Sequence, residues 1–191
     1  MSSGESPYSK FSYDEHAKTC APDDFLGQVR RTVNGEPLSD EHISEYLIGV
    51  AKKNFEKLPE YQFTAEGVVE YIRQEKQAER FTKMLCYAGF QYFRDHEVEE
   101  IFDTILNKFH NVKNIFIGNL PDRARAYEFY KSRIPSGEEL SDPQTAIGVW
   151  RNKDEFKRLA NRAGWAVEFT IMPDGFHASY YRYDAFLSRQ D

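Results

Sequence analysis

The chain has 191 residues, 40% hydrophobic and 29% charged, a size that closes one packed core. Its 25 basic against 31 acidic residues give a net charge of −6, which argues against nucleic acid as a partner, because a phosphate backbone asks for a basic footprint. No apolar run reaches membrane-spanning length and "MSSGESPYSK" carries no apolar leader, so the expectation is a cytoplasmic protein without a membrane partner.

Residues 1–43 read as a mixed lead-in ahead of an α/β core over 44–191, the whole forming one domain. Within the lead-in "APDDFLGQVRR" is a candidate short helix, and no run of β-branched residues is long enough for a strand. Cys20 and Cys86 stand far apart and read as two reduced thiols.

Residues 44–58 set Tyr46, Leu47, Val50, Ala51, Phe55 and Leu58 at helical spacing, with Ser44 as N-cap and Pro59 as the stop. "YQFT" follows as a short strand and "GVVEYIRQ" as a helical turn or more. "FTKMLCYAGF" (81–90) predicts a continuous apolar strand, "DHEVEEIFDTILNKFHN" (95–111) a helix, and "VKNIFIGN" (112–119) a second buried strand. Apolar runs alternating with helices predict a parallel sheet covered on both faces.

A helix at 123–131 follows, and then "NKDEFKRLANRAGW" as a helix that ends at Gly164. "AVEFTIM" and "ASYYRYDAFL", with only "PDGFH" between them, predict a closing antiparallel hairpin.

This order of elements, carried by "SEYLIGVAKKNF", "YQFTAEGVVEY", "MLCYAGFQYF", "IFIGNLPDR" and "AVEFTIMPDGFHASYYRYDAFL", resembles the class I S-adenosylmethionine-dependent methyltransferases over residues 44–191. "YSKFSYDEHAK" is similar to the aromatic lead-in of several small-molecule methyltransferases. The resemblance implies a Rossmann-like methyltransferase sheet of α/β class, with a C-terminal antiparallel β-hairpin. It also implies S-adenosyl-L-methionine as cofactor and a small-molecule methyl acceptor as partner.

The sequence departs from that family chiefly ahead of residue 44, and again at the third strand's loop, where Glu66 could serve only from one position off. The family's first strand ends in a glycine-rich loop that holds the cofactor's amino-acid portion, and its second ends in a carboxylate that holds the ribose. Here Gly27 and Gly35 stand eight positions apart with no strand ahead of them, and "EHI" runs directly into "SEYLIG". The expectation is therefore a shortened sheet that lacks the first strand, its loop and helix, and the second strand, with "YQF" either paired beside the "MLCYAGF" strand or lost from the sheet.

The resemblance places cofactor contacts at Glu66, Tyr87, Ala88 and Gly89, near the adenine. Glu66 reads equally as a solvent-facing loop carboxylate. Substrate contacts would come from Tyr92, Asn119, Asp122 and Arg123, beyond the carboxyl ends of the strands, and from Tyr13 and Tyr181, tyrosines near the two chain ends that suit a partly wet pocket wall. "NLPDR" reads alternatively as a plain polar loop, and single tyrosines as edge-of-core packing. His177, in the hairpin connection, is the candidate catalytic proton acceptor or else a solvated turn residue. The five histidines show no metal spacing, so no metal is expected, and "RNKDEFKR" reads as a solvated charge run.

Two functions stay open. One is a methyltransferase of small molecules whose own activity is undercut by the absent loop; the other is a non-catalytic remnant serving as a binding or partner-interaction module. A shortened sheet should also leave the helices at 44–58 and 95–111 partly uncovered, which leads to the expectation of a homodimer or of poor solubility.

Overall fold

The computed structural model describes residues 40–131, 133, 135–172, 175–176 and 178–190. The candidate helix at 21–31, Tyr13, Cys20 and His177 lie outside the described residues. The chain divides into two units, Met1–Glu66 and Gly67–Asp191.

In the first unit α1 spans Asp40–Phe55. It begins ahead of Ser44 and carries Lys52 and Lys53 in its last turn, where positive charge complements the helix dipole. It ends before Leu58 because a residue preceding proline is pushed out of the α region. Lys57 instead pairs with Tyr61 in an isolated bridge, with N–H···O distances of 3.0 and 2.8 Å. The predicted strand at "YQF" is reduced to that bridge and belongs to no sheet. Leu47, Val50, Phe55 and Leu58, the expected inner face, are exposed.

The second unit runs α2 (Val68–Gln74), β1 (Lys83–Tyr87), α3 (Asp95–Lys108), β2 (Asn114–Pro121), α4 (Ala126–Tyr130), α5 (Lys153–Arg162), β3 (Trp165–Ile171) and β4 (Arg182–Arg189). The sheet order is β1-β2-β4-β3. β1 and β2 are parallel, from Lys83↔Asn114 to Tyr87↔Gly118. β4 lies antiparallel between β2 and β3, with a bulge between Ile117 and Leu120 of β2. The closing antiparallel pair is therefore present, although residues 172–181 connect it rather than five residues. Ser179–Tyr181 form a 3-10 turn before the strand starts.

β1 is shorter than the apolar run that announced it. Ala88 turns to φ 58°, in the left-handed region, and Phe90–Tyr92 wind into a 3-10 turn. α3 stops at Lys108, where Arg189 takes over its last carbonyls. α5 ends as expected just before Gly164, whose φ is 78°. A Cβ there would stand 2.8 Å from Leu106, so both backbone and packing ask for glycine.

The core lies on one face of the sheet. Val98, Ile101, Phe102 and Ile105 of α3, Phe156, Leu159 and Ala160 of α5 and Ile72 of α2 pack against Ile115, Ile117, Leu187 and Trp165. Each fully buried side chain of this kind contributes roughly 1.5–3 kcal/mol. The apolar face of α3 is thus covered, contrary to expectation.

The opposite face corrects the expectation of two covered faces. Burial alternates along β1, and Leu85, Phe116 and Phe186 form a cross-strand row there. Leu85 is 73% and Phe186 42% exposed. Among the described residues of this unit, α2, α3 and α5 all serve the other face. A satellite cluster joins Ala126, Leu140, Trp150 and Tyr181, with Phe129 and Tyr130 against it. No helix among the described residues is long and apolar enough to cross a membrane.

Candidate ligand-binding site

In an open α/β sheet, ligands gather beyond the carboxyl ends of the parallel strands. After β1, Ala88 donates its N–H to Gly118 O at 3.1 Å, which holds the turn against β2. The Tyr87 ring, half exposed, lies over Gly118, where a Cβ would come within 2.5 Å of it. The Tyr92 hydroxyl donates to Ala146 O at 3.0 Å, and Gln91 O accepts from Val149 N–H at 2.8 Å. These bonds draw the segment before α5 alongside the β1 turn.

After β2, Asn119 takes φ 68°, donates its N–H to Asp184 Oδ1 at 2.8 Å and accepts from the Arg182 guanidinium at its carbonyl. Asp122 is buried; its carboxylate accepts from Ala124 N–H at 3.0 Å and its N–H donates to Tyr181 O at 2.9 Å. Tyr181 is only 4% exposed and stacks within the aromatic cluster, 5.3 Å from Trp150. The structure thus gathers Tyr87, Ala88, Gly89 and Tyr92 at the end of β1, and Asn119, Asp122 and Arg123 at the end of β2. Glu66 has an exposed side chain and belongs to the first unit.

Arg123 leads into a cleft of about 500 Å³ that the sequence did not announce. Five arginines line it, Arg94, Arg123, Arg151, Arg158 and Arg162, against two carboxylates, Asp95 and Glu155. Arg151 opens the charge run "RNKDEFKR", which was expected to be solvated, yet it is 4% exposed. It is buried because Nε and Nη2 both donate to Asp95 Oδ1, at 2.9 and 2.7 Å, and Nη2 also donates to Phe93 O at 2.6 Å. Arg123 donates to Glu155 Oε1 at 3.1 Å and to Ser141 Oγ at 2.7 Å. Arg151 Nη1 and Arg123 Nε are buried without a hydrogen-bond partner. Sequence spacing shows only that Arg158 and Arg162, four residues apart on α5, share one helical side; Arg151 precedes the helix.

Beside the cleft stands Tyr183, 1% exposed, whose hydroxyl donates to Arg151 O at 3.2 Å. Burial, and then the Asp122 carboxylate, push its phenol well above the ordinary range. An apolar cavity of about 360 Å³, lined in part by Tyr71, Phe81, Met84 and Cys86, lies on the core side of β1. Burial raises the Cys86 thiol there, which makes it a poor nucleophile.

Among the described residues no strand precedes β1, and Gly27 and Gly35 lie outside them. Tyr87, Ala88 and Gly89 stand at the end of β1, where the Tyr87 ring lies against Gly118.

No family model matches the sequence, and no curated protein does. Solved structures do. Magnesium protoporphyrin IX methyltransferase from Synechocystis PCC 6803, with bound SAH, is 9% identical with a TM-score of 0.50 over 76% of this chain and 61% of that one. Human N-acetylserotonin methyltransferase in complex with SAM is 18% identical, with a TM-score of 0.45 over 75% of this chain and 37% of that one. The small RNA methyltransferase HEN1 is 13% identical, with a TM-score of 0.47 over 66% of this chain and 15% of that one. The chain thus spans less than two thirds of each of these proteins. The fold is a class I methyltransferase fold, a Rossmann-like mixed sheet with its antiparallel closing strand.

Proposed function

We propose that this chain is a ligand-binding module on a methyltransferase fold, which by itself does not transfer methyl groups. The observation that supports this reading is the position of β1. It is the edge strand of the described sheet, whereas the family's grip on its cofactor comes from strands beyond that edge.

The energetic consequence is large. A charge-assisted hydrogen bond contributes about 1.5–3 kcal/mol, and those to the amino-acid and ribose portions would be absent together. At about 1.4 kcal/mol per tenfold, a micromolar cofactor becomes millimolar or weaker. The site that remains is the arginine cleft and the loops after β1 and β2, of a size suited to a small molecule.

The test is calorimetric titration with S-adenosylhomocysteine, beside incubation with methyl-labelled cofactor and a panel of hydroxylated metabolites. The expected result is no saturable heat at micromolar cofactor and no transferred label. Micromolar affinity, or label on any acceptor, overturns the reading.

A further inference from the structure

The arginine cleft has a charge that its surroundings do not explain. The chain as a whole is acidic, at −6, yet five arginines and only two carboxylates line one cavity of about 500 Å³. Both carboxylates are engaged, Asp95 with Arg151 and Glu155 with Arg123. Arg162 meets Glu99 only in an exposed pair at 3.2 Å, which water screens. Arg94 and Arg158 are exposed, and neither is in an ion pair among the described residues.

The deeper wall adds a second observation. Arg151 is more than nine-tenths buried and its Nη1 has no partner, as is the case for Nε of Arg123. A buried guanidinium N–H without an acceptor is costly, and both of these belong to residues lining the same cleft. The planar fork of arginine suits the paired oxygens of a phosphate or carboxylate.

We infer that this cleft binds a small multivalent oxyanion, a phosphate-bearing organic molecule, with Arg123 and Arg151 as the fixed floor and Arg94, Arg158 and Arg162 closing on it from the rim. The inference rests on the reading of the chain as a ligand-binding module and names its ligand class. The volume holds more than one phosphate group and falls within the range of small-molecule sites. Apart from Val149, Trp150 and Leu159, all buried, the lining is polar, so charge supplies the affinity and salt should weaken it.

The experiment is isothermal titration of the full chain with inorganic pyrophosphate, adenosine diphosphate and citrate, at about 0.05 and 0.3 M salt. Pyrophosphate and the diphosphate should bind saturably at one site, more tightly than citrate and more weakly at the higher salt. Arg94→Gln and Arg158→Gln should each weaken binding about tenfold, the loss of one charge-assisted contact. Both side chains are exposed, so an unchanged thermal transition confirms that the variants fold. Arg80→Gln, an exposed arginine outside the cleft, should change nothing. Three outcomes overturn the inference: no saturable binding, equal weakening by Arg80→Gln, or tighter binding of a single-stranded oligonucleotide than of either phosphate probe. S-adenosylhomocysteine, titrated in parallel, keeps the two readings apart. Cofactor affinity overturns the binding-module reading, whereas absent pyrophosphate binding overturns the cleft assignment alone.

Discussion

Arg151 places two nitrogens on one oxygen of Asp95, at 2.9 and 2.7 Å, and so ties the first residue of α3 to the entry of α5. The pair is lopsided, with 5% of the arginine side chain exposed against 67% of the aspartate. Removing the two ends should therefore have unequal effects. Asp95→Ala strands a buried guanidinium and should destabilise by about 2–4 kcal/mol, at the lower end for a broken buried pair because the carboxylate is exposed. Arg151→Met leaves a carboxylate that water can solvate, and should cost about 1–3 kcal/mol for the lost hydrogen bonds. Urea denaturation of both variants gives the order. An Asp95→Ala variant as stable as the parent chain would contradict this account.

Arg189 closes the far end of α3. Its guanidinium donates to the carbonyls of Val112 at 2.7 Å, Leu106 at 2.9 Å, Phe109 at 2.9 Å and Ile105 at 3.2 Å. These include carbonyls that a helix leaves without internal partners, at the negative end of its dipole. Arg189→Met should cost about 2–4 kcal/mol, as hydrogen bonds to a charged group are lost together. Arg189→Lys should recover less than half, since an ammonium cannot span four carbonyls. Thermal unfolding of the two variants checks this, and full rescue by lysine would show that charge alone matters.

Much of this second unit was legible because its elements carry strong local signals. α3 and α5 follow from apolar spacing, the end of α5 from Gly164, and the closing pair from two short runs near the C-terminus. What was misread involves contacts distant in sequence. The "FTKMLCYAGF" run is apolar throughout, and nothing local reveals that Ala88 turns it after Tyr87 or that Leu85 faces an uncovered side. Arg151 reads as a surface charge because its burial depends on Asp95 and Phe93, more than fifty residues earlier. The cleft is a product of tertiary structure, and so was invisible to motif spacing.

Gly118 tests whether the Tyr87 ring has a defined place. A Cβ at this position would stand 2.5 Å from Tyr87 Cδ2 and 2.8 Å from Phe116 Cε1. Gly118→Ala should destabilise by about 1–3 kcal/mol through overpacking. Adding Tyr87→Ser removes the nearer obstacle and should recover at least half of that loss, a coupling expected only of touching groups. Purely additive effects in the double-mutant cycle would mean that the ring lies elsewhere.

Tyr183 supplies a pH dependence whose sign can be worked out. Its phenol is buried, and both burial and the nearby Asp122 carboxylate favour the neutral form, raising its pKa above the ordinary value of about 10. Between that ordinary value and the raised one, the unfolded chain releases a proton that the folded chain keeps. Stability is then fully present below about pH 10 and falls above it, by up to about 1.4 kcal/mol per pH unit from this group. Tyr183→Phe should remove that share of the slope. Tyr71, Tyr130 and Tyr180, also raised chiefly by burial, would keep the remainder. Below about pH 9 the variant should be weaker by about 0.5–1.5 kcal/mol, the value of the hydrogen bond to Arg151 O. The two stability curves should therefore converge or cross as pH rises. Urea midpoints for both chains at about pH 8, 10 and 11 measure this, and parallel curves across that range would show that Tyr183 titrates as an ordinary, solvated phenol.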